Sequence, residues 1–190
     1  MTKNGGLTFE AVCKMLVQAR LLTPEQAREA SIREDRERAR MTRARSGGTV
    51  KRGPTVDSVI HPAEILSVMQ LGNLTEKQIM ETIAQAANLP FIDLDPLKLD
   101  AKLAPQFLSR PFARRHTALV VAATDTTVTV AVADPFDRGL VDDLVNYVRR
   151  KPVLVISTPS DIQRLITDFY GFRTAVQAAE EQVTGGVDIG

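Results

Sequence analysis

The chain has 190 residues, 44% of them hydrophobic and 25% charged, with a formal net charge of +1. That length holds one sizeable domain or two small ones, with the composition of an ordinary soluble globular protein. It gives no general electrostatic affinity for nucleic acid or membrane, and no apolar run approaches the roughly 20 residues a membrane-spanning helix needs. The start, MTKNGGLTFE, lacks the apolar core of a secretory signal, and a single cysteine, Cys13, excludes an internal disulfide. The expectation is a cytoplasmic chain in which Cys13 is a small buried apolar residue.

The first elements are helical and duplicated. Met15 to Gln26 (MLVQARLLTPEQ) aligns with Ser67 to Gln78 (SVMQLGNLTEKQ). Leu16 and Val17 match Val68 and Met69, Arg20 matches Gly72, and Leu22 matches Leu74. In both copies a short apolar helix precedes Leu-Thr-x-x-Gln. A Thr followed three residues later by Gln is a capping box, in which hydroxyl and amide side chains satisfy each other's helix-end donors. Pro24 fits the first helical position, where a missing amide hydrogen costs nothing. Ile79, Ile83 and Ala86 then recur at helical spacing. Residues 1–45 and 59–88 are therefore read as a subdomain of two helical hairpins packed together.

Between the hairpins, Arg28 to Arg52 carries nine basic and four acidic residues. Gly47, Gly48, Gly53 and Pro54 would interrupt any helix, so residues 46–58 are read as a mobile linker. Its positive charge fits a solvated helix end and tether. Aromatic side chains that could stack on bases are absent from it, which argues against single-strand binding. The second helix of the second copy, EKQIMETIAQAA, is not basic, which argues against a DNA-reading helix-turn-helix.

After Leu89 and Pro90 the pattern changes. FIDL (Phe91 to Leu94) reads as a short strand ended by Pro96. Leu103, Phe107, Leu108 and Phe112 mark a helix that Pro111 should break or kink. ALVVAAT (Ala118 to Thr124) and TVTVAVA (Thr127 to Ala133) read as an antiparallel hairpin. A helix follows with Leu140, Val141, Leu144, Val145 and Val148 on one face, then a strand from Pro152 to Ser157. The last helix starts at Thr158 with a capping pattern to Asp161, and Gly171 is its expected stop. The fold class is α+β: duplicated helical hairpins, then over residues 89–171 a small α/β sandwich with a central antiparallel hairpin. Residues 172–190 are read as a helical extension and flexible tail.

VAVADPFD (Val130 to Asp137) stops a strand at Asp134 and Pro135. The proline biases Asp134 towards an extended backbone, and Asp137 can cap the next helix. This reads as a structural corner, because no acid, base or metal partner for Asp134 is visible. There is no G-x-x-x-x-G-K-[ST] phosphate cradle, no G-x-G-x-x-G and no CxxC pair. His61 and His116 read as surface residues, and Ser109 and Ser157 have no histidine at a recognisable spacing. The sequence offers no catalytic residue, no metal site and no cofactor, so an enzyme is not expected.

The succession NLPFIDLDP, VAVADPFD, STPSDIQRLITDFYG resembles the amino-terminal, MshE-type domain of the type II secretion and type IV pilus assembly ATPases. The matching residues are Leu89, Pro90, Phe91, Asp93, Ala133, Asp134, Pro135, Asp161, Ile162, Tyr170 and Gly171, and the resemblance spans about residues 8 to 171 with the helical repeats included. It implies a regulatory and docking module, separate from the ATPase motor, that binds the cytoplasmic part of an inner-membrane assembly protein. In one branch the paired repeats bind cyclic di-GMP; on this chain that implies a site around Leu16, Val17, Arg20, Leu22, Val68, Met69, Gly72 and Leu74. The branch's Arg-Leu-Gly positions fall on Ala11, Val12 and Cys13 and on Ala63, Glu64 and Ile65, its first-copy glycine is Arg20, and its terminal glutamines are Glu34 and Ala86. Losing both arginines removes the bidentate donors best suited to phosphate or guanine, so the resemblance implies the fold with a degenerate nucleotide site. The expected partner is thus a protein, with recruitment to the inner membrane face through that partner only. A divergent cyclic di-GMP sensor, or a nucleic-acid contact through the arginine-rich segment, are the alternatives.

Overall fold

The computed structural model describes residues 6–45 and 60–184, with side chains described as far as Gly171. The expected linker 46–58 and the extreme tail lie outside the described residues. Helix α1 (Phe9–Gln18) is capped by the Thr8 hydroxyl, which accepts from the Ala11 amide. Helix α2 (Pro24–Arg45) follows a tight turn in which Arg20 is left-handed, with φ 60°. The Thr23–Gln26 capping box forms: the Gln26 amide donates to the Thr23 hydroxyl at 3.2 Å and the Thr23 amide to Gln26 Oε1 at 2.9 Å. Helices α3 (Pro62–Val68) and α4 (Glu76–Ala87) make the second hairpin, and the Thr75–Gln78 box closes with the same geometry.

The duplication holds, but not at one constant offset. The buried set Val12, Cys13 and Leu16 of α1 recurs as Ile65 and Leu66 of α3 and Met69 at its C-terminal cap. That is one residue beyond the sequence pairing, so Leu16 is fully buried while its sequence match Val68 is exposed. The reason is the turn. After α3 the chain makes a 3-10 turn through Leu71–Asn73, with Gln70, Gly72 and Asn73 all left-handed, whereas the first copy needs only Arg20.

In the second half, FIDL does not form a full strand. It makes one parallel bridge, Phe91 to Ile156, with Ile156 N–H donating to the Pro90 carbonyl and Ile92 N–H to the Ile156 carbonyl, each at 2.8 Å. Pro96 then starts a 3-10 turn capped by Asp95. The expected helix around Pro111 is two short ones, α5 (Ala104–Phe107) and α6 (Arg110–His116), separated where Leu108 is extended. The break falls as expected just before Pro111, which sits in the first turn of α6 behind the Ser109 cap, because in a continuous helix its ring would meet the Phe107 carbonyl. Strands β1 (Ala118–Ala123) and β2 (Thr127–Val132) pair antiparallel. Helix α7 (Arg138–Val148) crosses over to β3 (Lys151–Ile156), which pairs parallel with β2, giving a mixed sheet in the order β1-β2-β3.

Helix α8 (Pro159–Thr184) runs through Gly171 rather than stopping there. A glycine inside a helix costs about 1 kcal/mol relative to alanine, too little to end one that otherwise continues. Just before it, buried Tyr170 donates its hydroxyl to the Leu108 carbonyl at 2.8 Å, which fixes α8 against the irregular α5–α6 corner.

Both halves contribute to one buried cluster, from Phe9, Ile65 and Ile79 to Leu119, Ile156 and Ile162. Polar contacts join them as well. Leu7 N–H donates to Asp134 Oδ2 at 2.7 Å, and Glu76 accepts from the Ser160 amide at 2.9 Å and its hydroxyl at 2.7 Å. The Ser160 amide is one of the orphan donors in the first turn of α8, so a carboxylate from the helical half completes that helix end. Lys77 pairs with Asp93 at 2.6 Å. The boundary at Leu89 and Pro90 is therefore a packed interface, not a free hinge.

Candidate functional site

The Asp134 corner is structural in its geometry. Asp134 Oδ1 accepts from Phe136 N–H at 2.9 Å while Oδ2 takes Leu7, and Asp137 caps α7 through the Leu140 amide at 3.2 Å. Half-buried Pro135 holds the turn between them. Burial pushes the Asp134 carboxyl above its usual range, opposed by the amides of Leu7 and Phe136. Both carboxylates therefore hold backbone donors.

The histidines are not on the surface. His61 is buried and caps α3, its Nδ1 accepting from the Ala63 amide at 3.2 Å. Its Nε2 faces the Ala133 carbonyl outside regular hydrogen-bonding geometry. Burial lowers its pKa to about 4. Beside it, buried Glu64 accepts from the His61 amide at 3.0 Å, from Gln163 at 3.3 Å and from Arg45. His116 packs on the Phe112 ring and meets Asp137 Oδ2 at 3.0 Å. The capping partners of His61 and the Phe112 ring are local, but periodicity could not reveal Ala133, Gln163 or Asp137, which are distant along the chain. Among the described residues, no group of three or more His, Cys, Asp or Glu is placed to hold a metal ion.

The residues implied for a nucleotide site divide into three groups. Leu16, Leu22, Met69 and Leu74 are core. Val68 faces solvent on α3. Val17 and Arg20 come together with buried Leu22 at the tip of the first hairpin, where Gly72 of the second turn lies against Leu21 and Gln26. A side chain on Gly72 would place Cβ 3.3 Å from the Leu21 carbonyl, and its left-handed φ of 63° suits glycine. Val17, Arg20 and Leu22 line a small recess of about 320 Å³ there. Of the positions that the resemblance assigns to the arginines, Ala11 is half-buried and Ala63 fully buried, so the two copies do not present matching faces.

A larger groove lies alongside, between α1 and α2. It encloses about 680 Å³ and is lined by Glu10, Cys13, Lys14 and Val17 on α1 and by Pro24, Ala27, Arg28, Ser31 and Ile32 on α2. Cys13 lies at the position of the nucleotide motif's glycine, and burial pushes its thiol up to about 11, with Glu34 and Glu10 adding to the effect. It is therefore a protonated floor residue and not a nucleophile. Sequence reasoning missed Lys14, Arg28 and Ile32, although the row Arg28, Ile32, Arg36 repeats every fourth residue and was legible as a helix face.

Residues 87–176 match the family model of the MshEN domain. This match covers the motif residues of the resemblance from Leu89 to Gly171 and leaves the helical repeats before residue 87 outside it. Over 104 residues the chain is 27% identical to the type IV pilus assembly ATPase TfpB of Acinetobacter baylyi, covering 54% of this chain and 18% of that protein. The chain thus spans under a fifth of the length of this curated relative. In fold it is similar to a solved structure of MshE with cdg, at TM-score 0.56 and 22% identity, covering 84% of this chain and 98% of that one. It is also similar to the N-terminal domain of XpsE, at TM-score 0.51 and 18% identity, covering 84% and 94%. At these identities the likeness defines the fold alone: α+β, with the architecture of the MshE and XpsE structures.

Proposed function

We propose that the chain is a non-catalytic docking and regulatory module of a type II secretion or type IV pilus assembly ATPase-like protein. It binds the cytoplasmic domain of an inner-membrane assembly component and reaches the membrane face through that partner. The observation that carries this reading is the MshEN match over residues 87–176, set in a chain whose fold follows the MshE and XpsE structures. The sequence supports the non-catalytic part, since it contains no phosphate-cradling loop. The test is capture by an immobilised cytoplasmic domain of the cognate assembly component. A saturable one-to-one complex is expected, and no retention above a blank surface would overturn the reading.

A second reading, a divergent cyclic di-GMP sensor, draws on the likeness to MshE and on the α1–α2 groove at the first repeat. Alanines at positions 11 and 63 remove the fixed cations such a ligand needs. Weak binding or none is therefore expected. The nucleic-acid reading loses ground to α2 itself, where Arg33, Arg38 and Arg40 are paired with Glu29, Glu34 and Glu37 along the helix.

A further inference from the structure

The α1–α2 groove combines three features that its place in the core does not require. Its lining is mainly apolar, with Cys13, Val17 and Ala27 beneath and Ile32 at the lip. Ile32 is 84% exposed, although exposing a large aliphatic side chain beside an apolar recess leaves both in water. The charges on α2 are sorted by face. Arg33, Arg38 and Arg40 are each neutralised by a glutamate on the same helix, whereas exposed Arg28 and Arg36, one turn either side of Ile32, form no ion pair among the described residues. Lys14, on the opposite wall, has none either, and Glu10 is the sole carboxylate lining the groove.

A cation row flanking an exposed aliphatic anchor, with Arg28 drawn to exposed Glu25 on its own helix and Arg36 and Lys14 in no ion pair among the described residues, is complementary to one kind of surface. We propose that this groove docks an acidic amphipathic segment of a partner protein. An apolar side chain of that segment enters between Val17, Ala27 and Ile32, and carboxylates beside it meet Arg28, Arg36 and Lys14. Burial of the anchor supplies affinity, and the arginine row supplies orientation and a salt-dependent on-rate. The proposal rests on the docking reading and names its surface. Because the groove overlaps the first-copy position of the degenerate nucleotide motif, a protein segment occupies the region that the resemblance gives to a ligand.

The experiment measures the affinity of the full chain for the purified cytoplasmic domain of the cognate assembly component. It compares wild type, Ile32→Glu, the double variant Arg28→Glu/Arg36→Glu, and Val145→Glu as a comparator on the exposed face of α7. Thermal midpoints establish that each variant is folded, and Ile32→Ser replaces Ile32→Glu if the latter lowers the midpoint. Both groove variants should weaken binding about tenfold or more while Val145→Glu leaves it unchanged. Wild-type affinity should also fall as salt rises. Unchanged affinity in the groove variants, or loss confined to Val145→Glu, overturns the groove and leaves the docking reading standing. No binding by the wild type removes the docking reading, and the groove proposal with it.

Discussion

Cys13 and His61 show what burial does to reactive side chains in this chain, and both give measurable consequences. With its thiol pushed up to about 11, Cys13 carries almost no thiolate at pH 8. Alkylation by iodoacetamide at that pH should run about a hundredfold slower than at an exposed thiol, and should reach normal rates in denaturant. Rapid labelling of the folded chain would contradict the packing of α1. For His61 the sign follows from the lowered folded pKa of about 4 against an ordinary value of 6.5. Between those two pH values the unfolded chain holds more protons, so the stability gained from the neutral buried ring is lost as pH falls through that window. The loss is on the order of 3 kcal/mol. Asparagine can take over the cap at position 61 without titrating there. Urea midpoints at pH 7 and pH 5 should therefore fall further for wild type than for His61→Asn; equal falls would place the imidazole in water. Neither histidine partner was legible in the sequence, since His61 lies against Ala133 only after folding.

Among the elements, the hairpin turns were the best read and their register the worst. Both Thr-x-x-Gln boxes formed as expected because capping is local, needing only residues within one turn. The pairing of Leu16 with Val68 failed because the second turn, with Gln70, Gly72 and Asn73 left-handed, is one residue shorter from Met69 to Leu74 than the first is from Leu16 to Leu22, and apolar periodicity does not register it. FIDL was read as a short strand but shrank to a single bridge with Ile156 of β3, since it runs directly into the Asp95–Pro96 turn. Gly171 was misread because a helix-ending glycine needs a left-handed conformation, whereas here it sits within α8. Gly72 carries the prediction at this scale. Gly72→Ala forces a side chain into left-handed backbone 3.3 Å from the Leu21 carbonyl and should cost about 1–2 kcal/mol in urea unfolding. A neutral substitution would mean that the two hairpin tips do not touch.

Over the whole molecule, composition and motif order were enough for the α+β class and the family resemblance, while the interface between the halves was not visible. In the sequence the repeat signals end by Asn88 and strand signals begin at Phe91, which divides it into a helical half and an α/β half. The structure joins them by a common core, by Leu7 on Asp134 and by Glu76 on the first turn of α8. Unfolding followed by far-ultraviolet and near-ultraviolet signals should therefore give one coincident transition. Glu76→Ala, which leaves the Ser160 amide without its acceptor, should lower that transition by about 1–2 kcal/mol without splitting it. Two separated transitions in the wild type would restore the independent halves.

The proposed docking of a protein without nucleotide sensing comes down to one calorimetric measurement. The chain is titrated at physiological salt with the cytoplasmic domain of the cognate assembly component, with and without cyclic di-GMP present. A one-to-one isotherm that is the same in both conditions is expected. A partner isotherm that is absent, or one that appears or vanishes only when cyclic di-GMP is added, would contradict it.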